Sequence, residues 1–169
     1  MKMADGGFRP AYNVQLATDV GSNFIVGVDV SNIGSDMMLM PPMLTEIERR
    51  MGKLPNDYLV DGGFAGLEAI EDAHTRGVTV YAPLQESKDG KRRRKQNVPA
   101  IAQWRERMAT DTAKMIYRQR ASTAELVNAD LRAWRGLTHL RVRGLHRVRA
   151  AVYLAAFTHN LRRAIRLPS

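Results

Sequence analysis

Cysteine is absent from the 169 residues, so neither a disulfide framework nor a thiolate metal site can form. Any metal must be held by oxygen or imidazole, which favours a hard divalent cation. No N-terminal stretch joins a charged start, an apolar centre and a small-residue cleavage site, and no apolar run approaches membrane-spanning length. The expected compartment is the cytoplasm. Acid is scarce in the back of the chain: residues 114–169 hold 12 Lys/Arg against 2 Asp/Glu, whereas residues 1–75 hold 5 against 11. A formal charge of +9 distributed in this way suits a polyanion, with an affinity that falls steeply with salt. A merely soluble basic surface has the same composition.

An apolar fraction of 44% over this length supports one domain with a core, taken as residues 1–169. Met1–Pro10 reads as loop. Tyr12–Thr18 alternates, with Tyr12, Val14 and Leu16 set against Asn13 and Gln15, and Phe24–Val30 follows after a Gly21-Ser22-Asn23 turn; together they predict an antiparallel hairpin. Ser35 can cap a helix starting near Asp36, with Met40, Leu44 and Ile47 on a face expected to pack on that hairpin and Gly52 at its end. Tyr58–Val60 is a short buried strand with Asp61 at its tip, followed by a helix over Leu67–His74 and a strand over Val78–Tyr81. That order predicts an α/β fold with a mixed sheet covered by helices. Residues 85–97, with Lys91-Arg92-Arg93-Arg94-Lys95, are expected to form a mobile basic loop. Helical segments follow from Pro99 through Met108 and from Thr112 through Leu131 with breaks. The last helix carries a broad apolar face of Leu145, Val148, Val152, Leu154, Ala155, Phe157 and Leu161, with Arg149, Arg162 and Arg163 among its polar positions.

Two carboxylates draw attention. Asp61 ends a strand and precedes two glycines, a place where an α/β sheet presents functional groups and where an Asp-Gly-Gly turn is equally at home. Glu125 shares a helical face with Asn128, Ala129 and Arg132, which describes either a solvated surface or a carboxylate, amide and guanidinium arranged to hold a metal and a phosphate.

The run Tyr117 to Glu125, then Arg132, Arg143-Gly144-Leu145 and His159-Asn160-Leu161-Arg162-Arg163, resembles the C-terminal signature of DDE transposases from bacterial insertion sequences of the 4, 5 and 1182 kinds. Tyr117, Arg120, Glu125 and Arg132 match a Tyr-x-x-Arg pair, a catalytic Glu and a cation seven positions later, although four residues instead of three separate Arg120 from Glu125 and Arg replaces Lys at 132. Leu59-Val60-Asp61-Gly62-Gly63-Phe64 is similar to the second catalytic block. Tyr12 to Gln15, Asp19 and Asp36 resemble the segment between the first two blocks.

The resemblance implies an RNase H-like fold and metal-dependent DNA cleavage and strand transfer. Asp61 and Glu125 would bind Mg²⁺ or Mn²⁺; Tyr117, Arg120, Arg132 and Arg143 would bind DNA. It also implies that the first catalytic Asp, its strand and an N-terminal DNA-binding region precede Met1, leaving an N-terminally truncated fragment with an incomplete carboxylate set. Asp19 is a candidate stand-in, although a hairpin turn residue is the simpler reading. The alternatives are a non-catalytic basic DNA-binding module and a remnant that inhibits the full transposase by associating with it.

Overall fold

The computed structural model describes residue 7 and residues 11–84 and 98–166. The basic loop expected over 85–97 lies outside the described residues. In chain order the elements are β1 (Asn13–Thr18), β2 (Ile25–Ser31), α1 (Met40–Met51), β3 (Asp57–Leu59), a 3-10 turn (Gly62–Phe64), α2 (Leu67–Thr75), β4 (Thr79–Tyr81), α3 (Pro99–Ala109), α4 (Asp111–Arg120), a π turn (Ala121–Glu125), α5 (Leu126–Trp134) and α6 (Leu145–Arg166). The class is mixed α/β, but one continuous mixed sheet is not formed among the described residues. Hydrogen bonding gives an antiparallel β1–β2 pair and a separate parallel β3–β4 pair. These pairs fall in two compact units, one made of residues 1–34 with 121–169, the other of residues 35–120.

In the first unit the β-branched run of β2 supplies Ile25, Val28 and Val30, which pack with Val127 and Leu131 of α5 and Val148 and Val152 of α6. Each large apolar side chain enclosed there is worth roughly 1.5–3 kcal/mol. Tight turn chemistry closes the hairpin: Asp19 Oδ2 accepts from Ser22 N at 2.8 Å and from Ser22 Oγ at 2.5 Å, and Asn23 takes a left-handed φ of 58°. The alternation in β1 holds with an inversion. Gln15 and Ala17 are its enclosed residues, while Val14 and Leu16 are half-buried, because both faces of this short strand are partly covered. The broad apolar face expected of α6 divides in two: Val148, Val152, Ala155, Ala156 and His159 are buried, but Leu154, Phe157 and Leu161 are exposed.

The second unit is continuous in sequence. Met40 and Leu44 of α1, Ile70 of α2, Val80 of β4, and Ile101 and Trp104 of α3 share one core. The α1 face expected to lie on the hairpin is therefore spent within this unit, and α5 and α6 cover the hairpin instead. Helix α1 also begins later than Ser35 suggested. Ser35 Oγ accepts only a local 3.4 Å bond from Met37 N, and the helix starts at Met40 with Pro41 and Pro42 in its first turn, where their missing N–H groups have no intrahelical acceptor to satisfy. Gly52 ends it in a left-handed cap at φ 71°, as the sequence suggested. Among the described residues, no helix is long and apolar enough to cross a membrane.

Candidate functional site

The ladder of β3 extends one residue past the strand through Val60 N to Tyr81 O at 2.9 Å, and the chain then turns sharply at Asp61. Asp61 caps the 3-10 turn: its Oδ1 accepts from Gly62 N at 2.6 Å and its carbonyl accepts from Phe64 N at 3.0 Å. The turn-forming reading of Asp61 is thus visible in the structure. It does not consume the side chain, which is 61% exposed, with Oδ2 lying 3.6 Å from Arg120 Nη2. At this exposure and distance the ion pair contributes at most about 1 kcal/mol, so it orients the two groups more than it stabilises the unit. Gly63 lies beside a second carboxylate: a Cβ there would make an ordinary contact of 3.7 Å with Asp36 Oδ2. Asp36 is therefore drawn to this turn by the chain between β2 and α1; no local sequence signal announces that approach.

Tyr117 is half-buried against the core of its unit, a packing role that its place in the motif did not reveal. After Arg120 the helix changes character. Ala121–Glu125 forms a π turn, which holds one residue more than an α turn, and regular α-helix resumes at Leu126. The one-residue excess between Arg120 and Glu125 thus coincides with the local conformation able to absorb an extra residue without ending a helix. Thr123 is buried in this turn, while Glu125 is exposed where it meets α5. Arg132 lies exposed on α5, and Arg143 is exposed in the segment before α6.

The arginines of the first unit divide into two kinds. Arg149 reaches Asp29 Oδ1 at 3.3 Å and Val30 O at 3.2 Å, and Arg163 donates through Nε and Nη2 to Ser22 O at 3.1 and 2.7 Å. These hold α6 to the hairpin. Arg132, Arg141, Arg143, Arg147, Arg162 and Arg166 are instead exposed. The His159-to-Arg163 motif likewise has a packing role. Asn160 accepts from Ile25 N and donates to Ile25 O, both at 2.8 Å, so its carboxamide pairs with the backbone of β2 as a neighbouring peptide would. His159 sits between Asp130 Oδ2 at 3.0 Å and Asn23 O at 3.1 Å.

A family model described as a transposase DDE domain matches residues 2–161. The chain belongs to this transposase family. No curated protein and no solved structure gives a match. The match reaches into both compact units of the transposase domain and contains Asp61 and the π turn. Asp61 belongs to one compact unit and Glu125 to the other. Among the described residues, no group of three or more His, Asp or Glu side chains stands together as a metal cage.

Proposed function

We propose that the chain is the part of an insertion-sequence transposase, of RNase H-like ancestry, that contributes Asp61 and Glu125 to metal-dependent DNA cleavage and strand transfer. The observation that carries this reading is the family match over residues 2–161, together with an exposed Asp61 carboxylate at the end of a strand. The donor chemistry suits Mg²⁺ or Mn²⁺, since both side chains offer hard oxygen. Divalent metal held by these carboxylates would supply activation of the attacking water or 3′-hydroxyl and stabilisation of the leaving oxygen. The described residues do not complete a cage for it by themselves.

The protein's own groups have separable tasks in this reading. Asp61 presents Oδ2 outward while Oδ1 is fixed by Gly62 N–H, so the carboxylate is held in one orientation. Gly63, exposed next to this turn, leaves the side by Asp61 without a side chain in the way of a phosphodiester. Arg120, beside Asp61, is placed to take a phosphate oxygen, and a guanidinium can do so through two parallel N–H bonds. Arg132 and Arg143, exposed in the other unit, are the further cations this reading assigns to DNA phosphate, while Tyr117 packs on the core of its own unit.

The direct test is Mn²⁺- or Mg²⁺-dependent nicking of supercoiled DNA by the wild-type chain, Asp61→Asn and Glu125→Gln. Nicking is expected to disappear in both variants, and nicking that survives both removes these residues from the site. A second reading, DNA binding without cleavage, draws on the charge asymmetry, 12 Lys/Arg against 2 Asp/Glu over residues 114–169. It predicts salt-sensitive duplex binding with no metal-dependent nicking in any version of the chain.

A further inference from the structure

One cavity, lined by neither Asp61 nor Arg120, lies within the uninterrupted unit of residues 35–120. It has a volume of about 220 Å³ and is enclosed by the end of α2, by β4 and by α3. Its floor is apolar, with Ile70, Val80 and Ala100 all buried. His74 and Gln103 line it as exposed residues and so form its mouth, and Arg107 stands in its wall. An apolar floor with a few polar groups around it is the ordinary makeup of a small-molecule site.

The guanidinium of Arg107 identifies what the cavity takes. This side chain is half-buried, its Nη2 donates to Val80 O at 3.3 Å, and its Cζ lies 5.5 Å from the centre of the Tyr81 ring. No carboxylate pairs with it among the described residues, and its Nε is buried without a hydrogen-bond partner. Arg76, near the same end of α2, is by contrast paired with Asp72 at 3.1 Å. Drawing a cation partly out of water without a counter-charge is costly, and a carbonyl and a ring face offset only part of that cost. The carbonyls that close α2 do not oppose an anion here, because Arg76 N and Val78 N donate to Asp72 O and Ala73 O, and Gly77 N donates to His74 O. We propose that this cavity binds a small organic anion, an acidic head on an apolar body. The head meets Arg107, Gln103 and His74 supply further hydrogen-bonding groups at the mouth, and the body lies on Ile70, Val80 and Ala100. A DNA backbone, whose phosphates are joined by polar sugars, would leave that floor uncovered.

Benzoate is the probe and benzamide, of nearly the same shape without the charge, its comparison. Each is titrated into the full isotope-labelled chain while the Arg107 Nε–H resonance, identified by its loss in Arg107→Gln, is followed by NMR. Benzoate is expected to shift that resonance and to bind at least tenfold more tightly than benzamide. Arg107→Gln should weaken benzoate binding tenfold or more. Gln103→Trp, a change at an exposed position that fills the mouth, should do the same with the Arg107 resonance still present and the circular dichroism of the chain unchanged, which separates loss of the cavity from loss of the fold. Equal affinity for benzoate and benzamide overturns the proposal. Inorganic phosphate that binds as tightly as benzoate also overturns it, because the apolar floor then has no part in binding. So does duplex DNA that shifts the Arg107 resonance where benzoate does not, which assigns the guanidinium to a nucleic-acid backbone.

Discussion

The carboxamide of Asn160 makes a specific energetic claim. Both of its bonds are to the main chain of one residue, Ile25, at 2.8 Å, and they join positions 135 apart in sequence. A partly buried neutral hydrogen bond contributes about 1 kcal/mol net, so Asn160→Ala loses about 2 kcal/mol from the pair. Incomplete hydration of the abandoned N–H and C=O adds about 1 kcal/mol more, giving a cost of about 3 kcal/mol. For a chain of this size that lowers the melting temperature of the affected unit by about 6–12 °C. Asn160→Asp separates the two bonds, since a carboxylate can accept from Ile25 N–H but turns an acceptor toward Ile25 C=O; its cost should match or exceed that of the alanine variant at neutral pH. Urea denaturation followed by circular dichroism gives the stability change, and amide exchange at Ile25 reads the broken bond directly. An alanine variant costing under about 0.5 kcal/mol, or unchanged exchange protection at Ile25, would refute the pairing of side chain with strand.

Glu46 accepts from Arg49 at 2.9 and 3.1 Å and also from Arg50, and these contacts, the Arg49 hydrogen bonds foremost, hold its carboxyl below the ordinary value of 4.5. Its stabilising contribution is present above that value and lost as pH falls through the lowered one, so Glu46→Gln should melt below wild type at pH 7, with the gap narrowing as pH is taken progressively below 4.5, as followed by calorimetry. A gap that does not change with pH would rule out the ionic origin. Deleting Ser122, exposed within the π turn, should let that turn close as an α turn, with helical circular dichroism retained and only a small change in melting temperature. Deleting Ala129 from the regular α5 should instead rotate the fully buried Leu131 out of the core at a cost of several kcal/mol; equal damage from the two deletions would argue against the π turn as a site tolerant of an extra residue.

Local periodicity made the hairpin, α2, α3 and the Gly52 cap legible, because each is written in contiguous residues. It misplaced the partner of α1, since an apolar face at helical spacing says that burial occurs but not against what. The α6 face failed for the same reason: Val152 and Leu154 both read as core when hydrophobicity alone is considered, and only the packing of Val152 on the hairpin separates them. Asp61 was legible as a strand-end carboxylate, and its capping bond to Gly62 N shows that turn former and exposed oxygen are compatible in one side chain. The neighbouring Arg120 carboxylate contact and the approach of Asp36 to Gly63 were not legible, because they join residues far apart in sequence through tertiary geometry.

The division of the chain has a consequence for how it reaches the native state. The first unit is assembled from both ends of the sequence, while Ser35–Arg120 is a single uninterrupted stretch between them. Seen from the hairpin, that whole stretch is a loop, and closing one so long costs about 4 kcal/mol of chain entropy before α6 touches β2. Early folding of the inserted unit shortens the effective loop, so the order of events is biased from the middle outward. The Asn160 and Arg163 contacts, which need both ends of the chain, belong to the last step, and a ribosome-bound chain lacking α6 holds a hairpin whose core has not yet been delivered.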